Sequence, residues 1–313
     1  MSGDLRSTGA HGGALDGYRS ASERASDQVI RAYSTSFGAA TRLLGARHRT
    51  HVRNIYALVR VADELVDGVA SEAGLSRDEQ SARLDALERE TDDAIRTGYS
   101  SNPIVQAFAG TARASGIDGA LTAPFFASMR TDLDSAPGGP HERPAMRRFD
   151  ADAHADYVYG SAEVVGLMCL RVFLRDEPVS AADLRTLERG ARSLGAAFQN
   201  VNFLRDVADD TERLQRGYLG TGEALTEAEK RRWIETIRAQ LADARGVLPL
   251  LPADARRAVA CAWLLFARLT DRIERTPLDE LFVRRVSVPV GEKAVLVLRA
   301  IVGAGGRVWQ GAA

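Results

Sequence analysis

Cysteine is nearly missing from this chain: Cys169 and Cys261 are the only two in 313 residues. Each sits in an apolar run, so the pair reads as small core residues in a reducing compartment and speaks against a disulfide framework. Charge of one sign is missing too, with 41 basic side chains against 42 acidic ones and a formal net charge of −1. That balance carries no electrostatic footprint for nucleic acid. The N-terminus lacks the continuous apolar region of a signal peptide. The longest charge-free apolar run of the last third, 258–267, is shorter than the ~20 residues that span a bilayer. These absences make a cytoplasmic protein the expectation, with peripheral contact at the inner face of a membrane left open if substrate or product is greasy. No repeat of roughly 20–50 residues occurs, and no Gly-rich dinucleotide fingerprint follows a strand.

What is present is helical. Apolar residues make up 45% and charged residues 27% of the chain, as in a globular protein with a sizeable core. Alanine, leucine, arginine and glutamate dominate from Glu23 onward, and strict two-residue alternation is hard to find. The pattern predicts helices over 22–44, 49–69, 76–97, 103–115, 120–133, 152–174, 181–209, 227–248, 253–274 and 292–302. Residues 1–22, rich in Gly, Ser and Ala, read as a disordered tail, 23–305 as one all-α domain, and 306–313 as a C-terminal tail. Pro103, Pro124, Pro178, Pro252 and Pro277 fall near expected helix starts or breaks. The stretch from Tyr157 to Phe173 (YVYGSAEVVGLMCLRVF) is apolar nearly all round, as a helix buried on every side would be.

Two stretches carry the chemistry. In NIYALVRVADELVDG (54–68), Tyr56, Arg60, Asp63 and Asp67 share one stripe at ~100° per residue, opposite an apolar face. In GAAFQNVNFLRDVADD (195–210), Gln199, Asn202, Asp206 and Asp210 do the same. A single acid pair four residues apart is usually a solvated face. Two such pairs brought together would bury four carboxylates, which is prohibitive without neutralising cations. Oxygen-only ligands suit a hard ion, and Mg²⁺ bridges protein carboxylates to substrate phosphates. A di-iron carboxylate bundle needs Glu-x-x-His pairs, and none of the five histidines has a glutamate three residues before it. His48 and His51 are expected on an exposed helix start, without a role.

With these motifs the chain resembles the squalene/phytoene synthase family of head-to-head prenyl diphosphate synthases, from about residue 30 to about residue 302. YSTSF (33–37) resembles the family's early substrate segment and YALVRVADELVD (56–67) its first aspartate-rich motif. YVYGSAEVVGLM (157–168) resembles the tunnel-lining helix and FQNVNFLRDVADD (198–210) the second aspartate-rich motif. The resemblance implies an all-α isoprenoid synthase bundle around a central cavity. It implies coupling of two allylic diphosphates through a cyclopropyl diphosphate, with Asp63, Asp67, Asp206 and Asp210 holding Mg²⁺ (Mn²⁺ as a substitute). Arg60, Asn202 and Arg205 would bind diphosphate with Gln199 nearby. Ser34, Ser36, Phe37 and Tyr56 would border the substrate, Tyr157 would line the tunnel, and Tyr218 in RGYLG would approach a diphosphate. Arg205 lies off the Asp206 stripe, so a plain salt-bridge role stays open for it, as a packing role does for Tyr157 and Tyr159.

Within the family, two geranylgeranyl diphosphates giving phytoene, for carotenoid biosynthesis, is the leading expectation. Farnesyl diphosphate coupling to squalene or dehydrosqualene comes second, with NADPH required only for squalene. A class I terpene cyclase acting on one prenyl diphosphate would use the same metal site, and a non-catalytic prenyl carrier would use the same cavity. Glu163 departs from the small residue common at its place in the family. It either faces the cavity or pairs with an arginine such as Arg192, the latter being favoured. Oligomeric state is not legible.

Overall fold

Straight-chain residues lose little rotamer freedom in a helix, and all the regular structure follows that preference. The computed structural model describes residues 11–34, 36–66, 68–135, 151–206 and 225–303, and among these no strand occurs. In chain order the helices are α1 (His11–Tyr33), α2 (Ser36–Arg42), α3 (Ala46–Val66), α4 (Val69–Glu72), α5 (Arg77–Thr97), α6 (Pro103–Ser115) and α7 (Gly119–Ser135). They continue with α8 (Ala151–Val158), a π-helical turn (Tyr159–Glu163), α9 (Val164–Leu174), α10 (Ala181–Arg205), α11 (Glu227–Val247), α12 (Ala253–Arg275), α13 (Leu278–Leu281) and α14 (Val290–Gly303).

Local chemistry sets the ends. Ser76 with Glu79 and Thr226 with Glu229 form reciprocal capping boxes at the starts of α5 and α11. Asn102 caps α6, whose first residue is Pro103. Pro252 and Pro277 immediately precede α12 and α13, whereas Pro124 lies inside α7 instead of at a break.

Three expectations are corrected. Residues 11–22 belong to α1 and are not a disordered tail. Tyr18 donates to the Ser101 carbonyl (2.9 Å), and Ser22 and Ser26 are fully buried, small enough to let α1 lie close on its neighbours α3 and α6. The expected helix over 22–44 is two helices, α1 ending at Tyr33 and α2 starting at Ser36, parted at a Ser-Thr-Ser sequence of residue types that disfavour helix interiors. The helix expected to reach residue 209 ends at Arg205, leaving Asp206 at the cap position with φ −103°. The tails 1–10 and 304–313 lie outside the described residues.

Two large apolar clusters form most of the interior among the described residues, and Tyr157, Val158, Ala196 and Phe203 form a small third. One joins α3, α5, α6, α7 and α9 through residues such as Leu58, Leu84, Phe108, Phe125 and Met168. The other joins α10, α11, α12 and α14 through Val201, Ile237, Leu265 and Leu296. The segment 152–174 is long and apolar enough to cross a membrane by length and composition, but it packs against α3, α7 and α10, which accounts for its apolarity. Its approach to α10 is backbone on backbone. A Cβ at Gly166 would lie 2.6 Å from the Ala191 carbonyl oxygen, and one at Gly195 would lie 2.5 Å from that of Ala162. Only glycine permits that spacing.

Candidate functional site

A cavity of about 820 Å³ opens where the two apolar clusters meet, and its walls take residues from both. Its body is greasy: Ile55, Met129, Val165, Leu265 and Phe266 line it, and Phe198 stacks on Phe266 with centroids 3.8 Å apart. Asp63 from α3 and Asp206 from the end of α10 line the same cavity. So do Ser34, Tyr56, Arg60, Tyr157, Gln199, Asn202 and Arg205, all expected from the motifs.

Around Asp63 the charges come from one helix. Arg60 pairs with Glu64 one turn on, lies 3.8 Å from Asp63, and stacks over the Tyr33 ring at 4.4 Å. Desolvation acts to lower the Arg60 pKa, but the hydrogen bond to Glu64 and the field of Asp63 overcome it and hold the guanidinium above its ordinary value. Tyr56 shares a hydrogen bond with Ser34, and burial raises its hydroxyl pKa. Tyr56 is therefore a neutral phenol at any working pH.

Around Asp206 one charge is its neighbour in sequence and another comes from a distant part of the chain. Arg205 donates from Nε to Oδ1 (2.8 Å) and from Nη2 to Oδ2 (2.5 Å), and Arg285 donates from Nε to Oδ1 (2.7 Å). Arg205, although off the aspartate stripe, is thus part of the site. Arg285 and Lys293, both cavity-lining, were missed by the motifs; the only signal in the sequence is a basic residue at each end of the Val- and Pro-rich stretch RVSVPVGEK. Asp132 was missed as well. It is 3% exposed and accepts from the Tyr157 hydroxyl at 2.9 Å. Its signal was a lone acid on the face of α7 that carries Phe125 and Met129.

The remaining expectations sort cleanly. Glu163 accepts from Arg192 Nε at 2.6 Å, the favoured pairing, and Arg192 also lies over Tyr159 at 5.2 Å, so Tyr159 packs while Tyr157 lines the cavity. His48 is not on an exposed helix start: it is fully buried, edge-on to Phe173, and pairs with Asp254 at 3.2 Å. His51 is half-buried against the Thr111 hydroxyl at 2.9 Å, because α6 covers the start of α3. Both cysteines are free, and burial pushes Cys169 up to about 12 and Cys261 to about 11, leaving inert thiols. Asp67, Asp210 and Tyr218 lie outside the described residues, as do the side chains of Ser36 and Phe37 at the start of α2.

Among the described residues no group of three His, Cys, Asp or Glu side chains is assembled to hold a metal. Asp63 and Asp206 present carboxylate oxygens to one cavity, a donor chemistry that fits a hard divalent cation.

Residues 30–292 match the squalene/phytoene synthase family. The chain belongs to that family. Like the family's enzymes it is a prenyltransferase. The phytoene synthase of Arthrospira platensis is 30% identical over 292 residues, covering 85% of this chain and 88% of that protein. The 15-cis-phytoene synthase of a Paracoccus strain is 32% identical over 259 residues, with 78% and 77% covered. Among solved structures, a dehydrosqualene synthase in complex with ligand superposes with a TM-score of 0.73 at 21% identity, over 93% of this chain and 99% of that one. The squalene/phytoene synthase fold therefore accounts for the helical bundle.

Proposed function

We propose that this prenyltransferase couples two molecules of geranylgeranyl diphosphate head to head, through a cyclopropyl diphosphate, into phytoene for carotenoid biosynthesis. The observation that carries the reading is a deep apolar cavity with two carboxylates and a set of basic groups on its wall, in a chain whose relatives include phytoene synthases. The cavity body suits polyprenyl tails, and Arg60, Arg205, Arg285 and Lys293 supply cations for diphosphate oxygens.

Asp63, Asp206 and their motif partners Asp67 and Asp210 would hold Mg²⁺, which supplies charge neutralisation to a departing diphosphate. The arginines act in the same sense, stabilising charge that builds on the leaving group. The greasy wall excludes water from an allylic cation, while the Phe198–Phe266 stack and the Tyr56 and Tyr157 rings offer aromatic faces to it. Tyr157 is held in place by Asp132.

The test is product mass. Purified protein with Mg²⁺ and geranylgeranyl diphosphate is expected to yield a C40 hydrocarbon. A C30 product from farnesyl diphosphate alone would move the reading to squalene or dehydrosqualene, and NADPH dependence would separate those two. A C20 or C15 alcohol or cyclic hydrocarbon as sole product would sink coupling.

A further inference from the structure

The stretch from Gln28 to Ala62 holds six arginines and no acidic residue, in a chain whose net charge is −1. Two of the six are answered by acids elsewhere: Arg47 binds Asp254 and Glu177, and Arg60 pairs with Glu64. The other four gather where α1, α2 and α3 meet. Arg31 of α1 and Arg53 of α3 share the carboxylate of Asp27, at 2.8 and 2.7 Å. Arg49 of α3 donates from Nη2 to the carbonyls of Arg42 (3.2 Å) and Leu44 (2.7 Å), at the C-terminal end of α2. Among the described residues Asp27 is the only acid paired with Arg31, Arg42, Arg49 or Arg53.

This arrangement leaves donors unused. Nε of Arg49 and Nε of Arg53 are buried and donate to nothing among the described residues, and a buried donor without an acceptor is costly. Arg49 lies in the first turn of α3, which carries no acid, although that positive end of a helix favours one. Burial, with the charges of Arg49, Arg31 and Arg42, holds the Arg53 guanidinium below its ordinary pKa against the pull of Asp27. Four guanidiniums against one carboxylate suit an anion of more than one charge, and their forked donors match phosphate oxygens. The side chain of Arg53 is 21% exposed against 62% for Arg31, so the site is recessed between helices and a flat lipid surface would reach only its outer arginines. The cluster is separate from the cavity's own cations: none of the four lines the cavity, and Arg53 precedes Arg60 by two turns, ~10 Å. It backs onto the same wall, since Ile30, Thr41 and Val52, each just before one of these arginines, line the cavity from within.

We propose that Arg31, Arg42, Arg49 and Arg53 form a second anion site, outside the cavity, that takes a small free phosphate anion of the diphosphate class. Binding ties α1, α2 and α3 together behind the cavity wall. Under the coupling reading diphosphate is the released co-product, which makes the site a sensor of product. That consequence rests on the coupling reading; the site itself does not.

The test is isothermal titration calorimetry of the full-length protein with inorganic diphosphate, in EDTA so that no Mg²⁺ bridges the anion to the aspartates. Expected is saturable binding that weakens at high salt and is roughly tenfold or more tighter than binding of sulfate. Arg49→Gln/Arg53→Gln should weaken it about tenfold or more, whereas Arg285→Ala, in the cavity, should leave it unchanged. Arg42→Gln, at an exposed residue, repeats the test should the double variant impair folding: it should weaken binding about tenfold without lowering the melting temperature of the anion-free protein. Equal affinity of wild type and both glutamine variants overturns the proposal, as does no binding of wild type. Sulfate bound as tightly as diphosphate overturns the diphosphate class. Loss of binding in Arg285→Ala alone also overturns the proposal and returns the anion to the cavity. Binding of phosphatidylglycerol vesicles without binding of free diphosphate overturns it in favour of a lipid headgroup. Diphosphate binding by a protein that turns over no prenyl diphosphate would leave the site standing and remove its product-sensing role.

Discussion

Asp63 and Asp206 stand on one cavity but keep different company. Asp63 lies in the middle of a helical turn whose Arg60 and Glu64 are its own neighbours in sequence. Asp206 sits where α10 has just ended, and one of its two guanidiniums, Arg285, comes from 79 residues further along the chain. The first carboxylate is thus held by helix periodicity and the second by tertiary structure. Arg60 is engaged with Glu64 of its own helix and Arg285 with Asp206 from a distant element, so a diphosphate that drew on Arg285 would loosen a tertiary contact.

The largest effect that bears on this difference is removal of either carboxylate. Asp63→Asn and Asp206→Asn are each expected to lower kcat by about a thousandfold, ~4 kcal/mol in barrier, read by steady-state turnover of radiolabelled prenyl diphosphate. If only one falls, the two sides are not halves of one site. Next, Arg285→Ala should raise KM by roughly 10–100-fold, on the scale of a charged contact worth ~1.5–3 kcal/mol. Arg60→Ala, by contrast, should also lower the melting temperature, because it strands Glu64. Equal thermal shifts in the two variants would erase the distinction between the two sides.

A third effect separates the far end of α3 from its catalytic turn. His51 lies twelve residues before Asp63, and burial, with Arg175 nearby, holds its pKa down at about 4. The unfolded chain, with histidine near 6.5, takes up a proton that the folded chain refuses. Stability should therefore fall as pH drops from about 6.5 towards 4, by up to ~1.4 kcal/mol per pH unit. Denaturant titrations across that range should show the slope, and His51→Gln should flatten it. The smallest effect belongs to the pair outside the chemistry. Glu163→Gln should cost under ~1 kcal/mol, since Arg192 is half exposed, and should leave the product profile unchanged by mass spectrometry. A changed product would return Glu163 to the cavity.

Much of this was legible in the sequence, for reasons that also mark where reading stops. The helices and the tunnel segment 157–173 follow from periodicity, and Asp63 and Asp206 follow from stripes that periodicity alone defines. The Glu163–Arg192 pair could be named because a lone acid in an apolar helix needs a partner. The contacts made by Arg285, Lys293 and Asp132 were not legible, since each joins elements far apart in sequence. His48 and His51 were misplaced for a related reason: their burial is imposed by α6, α9 and Asp254, not by their own helix. The helix over residues 11–22 was hidden by its composition, because serines buried at a close helix contact look like a polar tail.

The reciprocal glycines at 166 and 195 have a practical consequence for anyone wishing to retune the enzyme. With α9 and α10 already touching backbone to backbone, neither helix can be brought nearer, and any added methyl would wedge them apart at ~1–3 kcal/mol. The spacing is therefore fixed where these helices line the cavity. Variation there has to be written in side-chain volume at neighbouring cavity positions such as Val165, Cys169 and Leu194. A library that holds both glycine codons constant and randomises those three should shift chain-length preference without losing soluble protein.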